Sequence, residues 1–358
     1  MFDHPDFDGH ECVVHAFDAA SGLKAIVAIH STALGPSFGG CRMFPYVDER
    51  AALRDALRLS RAMTCKCAIT GLPYGGGKSV ILGDPRRDKT PELLAAMGRL
   101  VDSLAGRYIV ADDVGTTLED LAVMRAETRF TAAATASAMQ PLAVTAHGVL
   151  SAIEAAARVA LRGASPSPLA EEGWGGRGER RSALSSLTIA VQGLGNVGGP
   201  LCRLLHERGA RLVVADPNAE LVAAAVERFG AVASPPDAIY EAEADIFAPC
   251  ALGGILNEAT ISRLRARIVC GGANNQLATP ADAERLAARD IVYVPDYLVG
   301  AGGVIDFAQE AVDDQPETVL AAVGRIGRIA EEVLAKARAT GTTPLAICDA
   351  IVRARLGR

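Results

Sequence analysis

Lys66 closes the run Met63-Thr64-Cys65-Lys66, and Lys78 lies in Gly75-Gly76-Gly77-Lys78-Ser79, which begins nine residues later. Two ammonium groups held near each other repel, so each raises the cost of the other's charge. A folded protein tolerates such crowding where an anion or an electron-rich transition state sits between the cations. The competing chemistry is a phosphate loop, which needs Gly, four residues, then Gly-Lys-Ser/Thr opening a helix. Counting back from Gly77 puts Leu72 where the first glycine belongs. Val80-Ile81-Leu82 followed by Gly83-Asp84-Pro85 predicts a strand and a turn, not a helix. Both points exclude a nucleotide triphosphatase.

The elements that must carry these lysines follow from periodicity. Apolar and small residues at Leu53, Ala56, Leu57, Ser60, Met63 and Cys67 recur at helical spacing and predict a helix from about 48 to 67. Lys66 then falls in its last turn, where the helix dipole alone favours a cation. Residues 12–18 and 23–29 predict two strands about Gly22, and Tyr108–Ala111 a strand running into Asp112-Asp113. A helix is expected over 118–127 and another over 145–161, with a domain junction near Thr131–Ser137 between them. Gly163–Ser182, rich in Gly, Pro, Ser and charge, reads as a surface loop. From Leu187 onward, apolar runs at 187–192, 211–215, 244–248, 267–270 and 291–294 alternate with helical segments, which implies a parallel sheet covered on both faces. The chain is helical from Pro316, with a break at Gly341–Pro344.

The expected fold is α/β: two domains around a cleft, the second a Rossmann-type doubly wound parallel sheet. The first domain comprises 1–138 plus about 333–358 and the second 139–332, with hinge closure excluding water from the chemistry. The bulk numbers fit. At 358 residues two cores are the default, and 50% apolar with 22% charged residues is an ordinary globular balance. A net charge of −6 argues against nucleic acid or an anionic membrane as partner. No uninterrupted apolar run reaches membrane-spanning length, and the start of the chain lacks the basic and apolar regions of a signal peptide, so a cytoplasmic location is expected. The eight cysteines form no C-x-x-C pair and are expected as buried free thiols, with no metal site. His4 and His10 fall in a start expected to be mobile.

A second chemical signal begins at Leu187-Thr188-Ile189-Ala190-Val191-Gln192, which runs into Gly193-Leu194-Gly195-Asn196-Val197-Gly198 and then a helical pattern. Strand, glycine fingerprint and helix arrive in the order a dinucleotide site requires. Gly193 permits the tight turn, Gly195 lets the backbone approach a pyrophosphate, and Gly198 lets helix pack on strand. The next strand ends at Asp216, 23 residues after the first glycine, where a carboxylate should accept the ribose hydroxyls. An anion there repels a 2′-phosphate and favours NAD over NADP. The ordinary alternative for Asp216 is a turn residue before Pro217-Asn218.

Taken together, Leu34-Gly35-Pro36-Ser37-Phe38-Gly39-Gly40-Cys41-Arg42-Met43, Met63–Lys66, Gly75–Lys78, Asp113–Thr117, Gly193–Gly198, Ala248-Pro249-Cys250-Ala251-Leu252-Gly253, Ala273-Asn274-Asn275-Gln276 and Ala301-Gly302-Gly303-Val304 closely resemble the glutamate/leucine/phenylalanine/valine dehydrogenase family, its leucine dehydrogenase branch most of all. The resemblance implies oxidative deamination of an L-amino acid to a 2-oxo acid, with release of ammonium and reduction of NAD⁺, by a homo-oligomer. It implies that Lys66 holds the substrate carboxylate beside the Gly39-Gly40 backbone. Lys78 would polarise the attacking water and the carbonyl oxygen, and Asp113 would be the general acid/base. Met63 would join the substrate-binding set. Thr145 and Asn274 would lie near the nicotinamide, with Asn196, Val197, Cys250 and Ala251 also among the cofactor-binding positions. The chemistry asks for these types independently: a carboxylate shuttles protons, and a lysine crowded by a cation has its pKa lowered toward the working range.

Glutamate-specific members carry a lysine just before the Gly-Gly pair, and this chain has Phe38 there. Burying a glutamate side chain against a phenyl ring without a cation is costly. An apolar substrate is therefore expected, branched-chain first and phenylalanine second, with Ala111, Leu298 and Ala301 completing the wall. The chain departs from the family at Gly300, where an asparagine is usual, in the longer Gly163–Ser182 segment and in a shorter tail. A non-catalytic NAD-binding regulatory protein is the alternative from another class.

Overall fold

The computed structural model describes residues 1–132, 141–161, 183–310 and 315–357. They divide into two compact units. One comprises Met1–Ala138, Phe307–Asp314 and Asp349–Arg358; the other comprises Met139–Asp306 and Gln315–Cys348. The expected junction at Thr131–Ser137 lies outside the described residues beyond Ala132, and so does the predicted loop Gly163–Ser182.

In the first unit β1 (Cys12–Asp18), β2 (Leu23–Ser31), β3 (Ser37–Phe44), β4 (Gly75–Leu82) and β5 (Tyr108–Asp112) form one sheet in the order β1-β2-β4-β3-β5. β2 is antiparallel to both neighbours, whereas β3 is parallel to β4 and β5. Side chains alternate across a strand, and the two cores show which face is which. Val27, Ile29, Cys41, Met43, Ile81, Tyr108 and Val110 pack with helices α2 (Pro91–Ser103) and α3 (Leu118–Arg125). Ile26, Ala28 and Val80 pack with Ala52, Ala56 and Leu57 of helix α1 (Glu49–Thr70). Residues of the opposite parity, Phe38, Gly40, Arg42, Lys78 and Ala111, are thereby assigned to the α1 face.

α1 begins at Asp48, whose carboxylate accepts from the Ala51 amide at 2.7 Å. It ends at Gly71, which takes the left-handed conformation at φ 73° that a C-terminal cap needs. The helix therefore runs past the last apolar-periodic residue, and its last turn holds no basic residue. Lys66 lies one turn further in, so the dipole does not account for it. The start of the chain also differs from expectation, because it is tied to α1. The buried ring of His10 bonds the Leu57 carbonyl at 3.0 Å and the Ser60 hydroxyl at 3.1 Å. His30 bonds the Thr64 hydroxyl at 2.8 Å, and Arg61 donates to Asp8 at 2.7 Å.

The second unit carries an all-parallel sheet of β6 (Thr188–Gln192), β7 (Arg211–Ala215), β8 (Val232–Ala233), β9 (Ile246–Pro249), β10 (Ile268–Val269) and β11 (Val292–Tyr293). Its order, β11-β10-β9-β6-β7-β8, is the 3-2-1-4-5-6 arrangement of the doubly wound dinucleotide fold. The chain passes through α4 (Pro141–Ala156, extended by a π-helical turn Ala157–Leu161), α5 (Gly198–Glu207), α6 (Ala219–Phe229), α7 (Glu258–Arg263), α8 (Ala281–Ala287), α9 (Asp296–Val299), α10 (Gly302–Glu310), α11 (Pro316–Val323), α12 (Arg325–Thr340) and α13 (Pro344–Arg355). Ala143–Leu161 has the length and hydropathy of a membrane span, but it packs against α5, α11 and α12 as a core helix does. α12 buries Ile326, Ala330, Val333, Leu334 and Ala337 and packs on α4. Residues 333–348, expected with the first domain, accordingly cluster with the second.

Candidate active site

Three parallel strands end side by side in the first unit, and their α1-facing positions carry the charge. Lys78 Nζ on β4 lies 2.9 Å from Asp113 Oδ2, just after β5. Arg42 Nε on β3 donates to the same oxygen at 2.8 Å, while its Nη1 donates to Asp55 of α1 at 2.8 Å. The Tyr46 hydroxyl donates to that same Asp55 oxygen at 2.6 Å. Asp113 is thus held by two cations through Oδ2, and no described residue bonds its Oδ1.

The local backbone fixes this arrangement. The Thr116 hydroxyl donates to the Cys41 carbonyl at 2.7 Å and accepts from the Asp113 amide at 3.0 Å, so the turn after β5 is fastened to β3. Gly115, at φ 83°, allows that close approach, since a Cβ there would meet the Met43 carbonyl at 2.0 Å. Gly40 has a more direct role. A Cβ on it would fall 2.7 Å from Asp113 Cβ and 3.0 Å from Lys78 Nζ, so only glycine leaves room for the pair.

Burial pushes the Lys78 ammonium below the ordinary lysine value; Asp113 opposes this, and the neighbouring Arg42 guanidinium adds to it. Burial alone would raise Asp113, yet Lys78 and Arg42 outweigh it and hold the carboxyl well below the usual range. The group is an anion at neutral pH, beside an amine that gives up its proton more readily than a free lysine. That is an acid–base pair, and the cation beside Lys78 in it is Arg42. Sequence reasoning met Arg42 only as part of a motif and missed Asp55 and Tyr46 altogether. Their separation along the chain left no signal to find them.

Lys66 is buried on α1, three helical turns beyond Asp55 and therefore on the same side of the helix. α1 lies tight on the glycine run: a Cβ on Gly76 would meet the Thr64 amide nitrogen at 2.1 Å. Gly76 pairs with Phe38 across the β3/β4 ladder, which sets this end of α1 over Phe38 and Gly39. Of the chain's five lysines, Lys24, Lys66, Lys78, Lys89 and Lys336, only Lys66 and Lys78 are buried. In a sequence that uses arginine for most of its cations, those two buried positions keep lysine, which unlike arginine can be deprotonated.

The buried Phe38 ring stacks on Phe307 at 3.8 Å, and Tyr74 closes the group at 5.3 Å from Phe307 and 6.2 Å from Phe38. Ala111 pairs with Gly40 in the β3/β5 ladder, and Met63 is half-buried on α1. Leu298 and Ala301 are fully buried in the second unit.

In the second unit each fingerprint glycine meets its own constraint. Gly193 has φ 90°, and a Cβ on it would strike Ala251 at 2.8 Å. A Cβ on Gly198 would lie 1.8 Å from the Gly193 carbonyl, whereas Gly195 faces open space. The turn leads into α5, whose N-cap residue Val197 makes no side-chain cap hydrogen bond. Leu194 donates to Asp216 Oδ2 at 2.7 Å and Asn218 to its Oδ1 at 2.8 Å. Asp216 is therefore a turn residue as well, and each oxygen keeps a lone pair for another donor. The Cys250 amide donates to the Gln192 carbonyl at 2.7 Å, which brings Cys250 and Ala251 to the point between β6 and β9 where the strand order reverses. Asn196 lies in the same turn; Asn274 follows β10, and Thr145 on α4 lies against Gly302. These residues fit a dinucleotide, with open backbone for a pyrophosphate and an acid for a ribose.

A dinucleotide fold on one unit and a lysine–aspartate ion pair on the other fit a dehydrogenase. Residues 10–130 match the Glu/Leu/Phe/Val dehydrogenase dimerisation domain, and residues 221–322 the Glutamate/Leucine/Phenylalanine/Valine dehydrogenase domain. The chain is 44% identical to leucine dehydrogenase of Bacillus subtilis, over 100% of its own length and 94% of that protein's. It is 42% identical to valine dehydrogenase of Streptomyces albus over 99% of its length and 94% of the relative's. Among solved structures, L-tryptophan dehydrogenase from Nostoc punctiforme superposes with a TM-score of 0.77 at 39% identity, covering 98% of this chain and 96% of that one. The protein belongs to the Glu/Leu/Phe/Val dehydrogenase family and is an amino acid dehydrogenase that uses a nicotinamide cofactor.

Proposed function

We propose that the protein catalyses NAD-dependent oxidative deamination of branched-chain L-amino acids, leucine-like ones first, to 2-oxo acids and ammonium. The observation that carries this reading is the pair of buried Lys78 and partly exposed Asp113 at 2.9 Å, in a space that only Gly40 leaves free. Gly193, Gly195, Asn196, Val197 and Gly198 would hold the pyrophosphate, Asp216 the ribose, and Thr145, Cys250, Ala251 and Asn274 the nicotinamide side. A nicotinamide held there would supply an acceptor for the hydride of the substrate Cα.

Lys66 is assigned to the substrate carboxylate, beside the Gly39 and Gly40 backbone. Oxidised substrate carries a cationic C=N carbon that water attacks. Asp113, anionic and with Oδ1 free of any partner among the described residues, takes a proton from that water. Lys78 stabilises the oxygen anion that develops as the tetrahedral adduct forms and collapses. Its lowered pKa lets it return a proton at little cost.

The aromatic group of Phe38, Tyr74 and Phe307 supports an apolar side-chain pocket, since a glutamate carboxylate there would meet rings in place of a cation. Phenylalanine is the second reading, for the same reason. Asp216 supports NAD as the form of cofactor. The match to a dimerisation domain supports a homo-oligomer, and a cytoplasmic location agrees with an enzyme of amino acid catabolism. The test is NADH formation at alkaline pH with leucine, valine, isoleucine, phenylalanine and glutamate. Branched-chain substrates should turn over fastest. Activity on glutamate alone would defeat the pocket argument, and NAD binding with no turnover would favour a regulatory protein.

A further inference from the structure

We infer that Arg42, anchored by Asp55 and Tyr46, is a positioning residue that selects which oxygen of Asp113 handles protons. The inference rests on the acid/base role assigned to Asp113 above. Arg42 and Lys78 both contact Oδ2, at 2.8 and 2.9 Å, and no described residue bonds Oδ1. A carboxylate gripped at one oxygen by two cations presents the other in a fixed direction. The grip is itself fixed. The Arg42 fork spans two carboxylates, with Nε on Asp113 and Nη1 on Asp55, and the Tyr46 hydroxyl bonds the Asp55 oxygen at 2.6 Å. The chain Tyr46–Asp55–Arg42–Asp113 joins β3, the segment after it, α1 and the turn after β5, so no single element could set that oxygen alone.

The same chain has an electrostatic consequence. Asp113 feels Lys78 and Arg42 as cations, while Asp112, Asp55, Cys41, Tyr46 and Tyr108 are the other titratable groups about the cluster. Arg42 lowers both Asp113 and Lys78, so its removal raises both. The whole proton-handling range of the pair should therefore move to higher pH. A residue that only supported the fold would leave that range where it is.

The experiment compares full-length wild type with Arg42→Gln, Arg42→Lys, Asp55→Asn and Asp113→Asn, each checked for folding by thermal denaturation. Arg42→Gln should lower kcat by about 10- to 100-fold with KM for the amino acid within about 2-fold, and move the acid limb of the kcat/KM profile up by about one pH unit. Arg42→Lys keeps the charge but replaces the planar fork, whose Nε and Nη1 reach different carboxylates, with a single ammonium nitrogen. It should lose turnover while holding the limb near its wild-type position. Asp55→Asn should lower kcat by about 10-fold. A folded Arg42→Gln with wild-type kcat and profile, beside an inactive Asp113→Asn, overturns the inference and leaves the acid/base assignment standing. Full turnover by Asp113→Asn sinks that assignment and the inference with it. Should Arg42→Gln fail to fold, Asp55→Asn decides: wild-type turnover overturns the role, and a selective loss of kcat supports it.

Discussion

The two units build their sites in opposite ways. In the first, the proposed working groups are charged side chains drawn from β3, β4, α1 and the turn after β5, and the backbone serves to clear space for them at Gly40. In the second, the backbone is the working group. Three glycines shape a turn, α5 starts without a side-chain cap, and Asp216 is the main charged side chain. A site made of backbone is encoded in a short stretch, because the turn, the close approach and the packing contact fall within six residues. A site made of charges is encoded in pairings across the fold, and those depend on sheet order.

The contrast predicts the largest effect in the first unit. Lys78→Ala should cut kcat by about a thousand-fold with little change in KM, whereas Lys66→Ala should chiefly raise KM. The reverse pattern in steady-state kinetics would exchange the two roles. Next come the glycines, which should separate stability from binding. Gly198→Ala puts a methyl 1.8 Å from a carbonyl that cannot rotate away and should cost about 1–3 kcal/mol in denaturant unfolding. Gly195→Ala faces open space and should leave stability within ~0.5 kcal/mol while weakening cofactor binding. Equal losses of stability would show that the fingerprint is structural throughout.

His10 tests the first unit's dependence on side chains away from the pair. Burial pushes its imidazole down to about 4. A group depressed in the folded state stabilises the fold above its unfolded value, near 6.5 for histidine, and loses that contribution as pH falls toward the folded one. Stability should therefore decline between about pH 6.5 and 4, by roughly 2–3 kcal/mol, and His10→Gln should flatten the decline. An unaltered slope would place the titrating group elsewhere. The smallest effect should come from Asp216→Asn, expected to shift the NAD-to-NADP preference by about tenfold, or ~1.4 kcal/mol, because the neutral amide no longer repels a 2′-phosphate. No shift would mean that Asp216 serves the turn alone.

The same contrast explains what could be read before the fold was seen. The fingerprint, the parallel sheet and the amphipathic α1 are local patterns, and each was legible from spacing. Lys66, Lys78 and Asp113 were reached through motifs. The identity of the cation beside Lys78 was not, because Arg42 and Asp113 are 71 positions apart and meet only once β3 lies between β4 and β5. His10 sat in a polar, aperiodic start that gave no sign of the α1 carbonyl it would bond. The end of α1 was set by the left-handed cap at Gly71 rather than by the last apolar residue, which moved Lys66 out of the final turn. The second half of α12 and the start of α13, expected with the first domain, cluster with the second unit, because an apolar stripe shows that a helix packs, not what it packs against.

The central claim is that Lys78 sits as a buried, easily deprotonated amine against an anionic Asp113. With five lysines in the chain, [13Cε]-lysine labelling lets each side chain be assigned by substitution and titrated by NMR. The signal that disappears in Lys78→Arg should titrate below the free-lysine value of about 10.4, and should move upward in Arg42→Gln. A Lys78 signal titrating at or above that value, unmoved by loss of Arg42, would contradict the account.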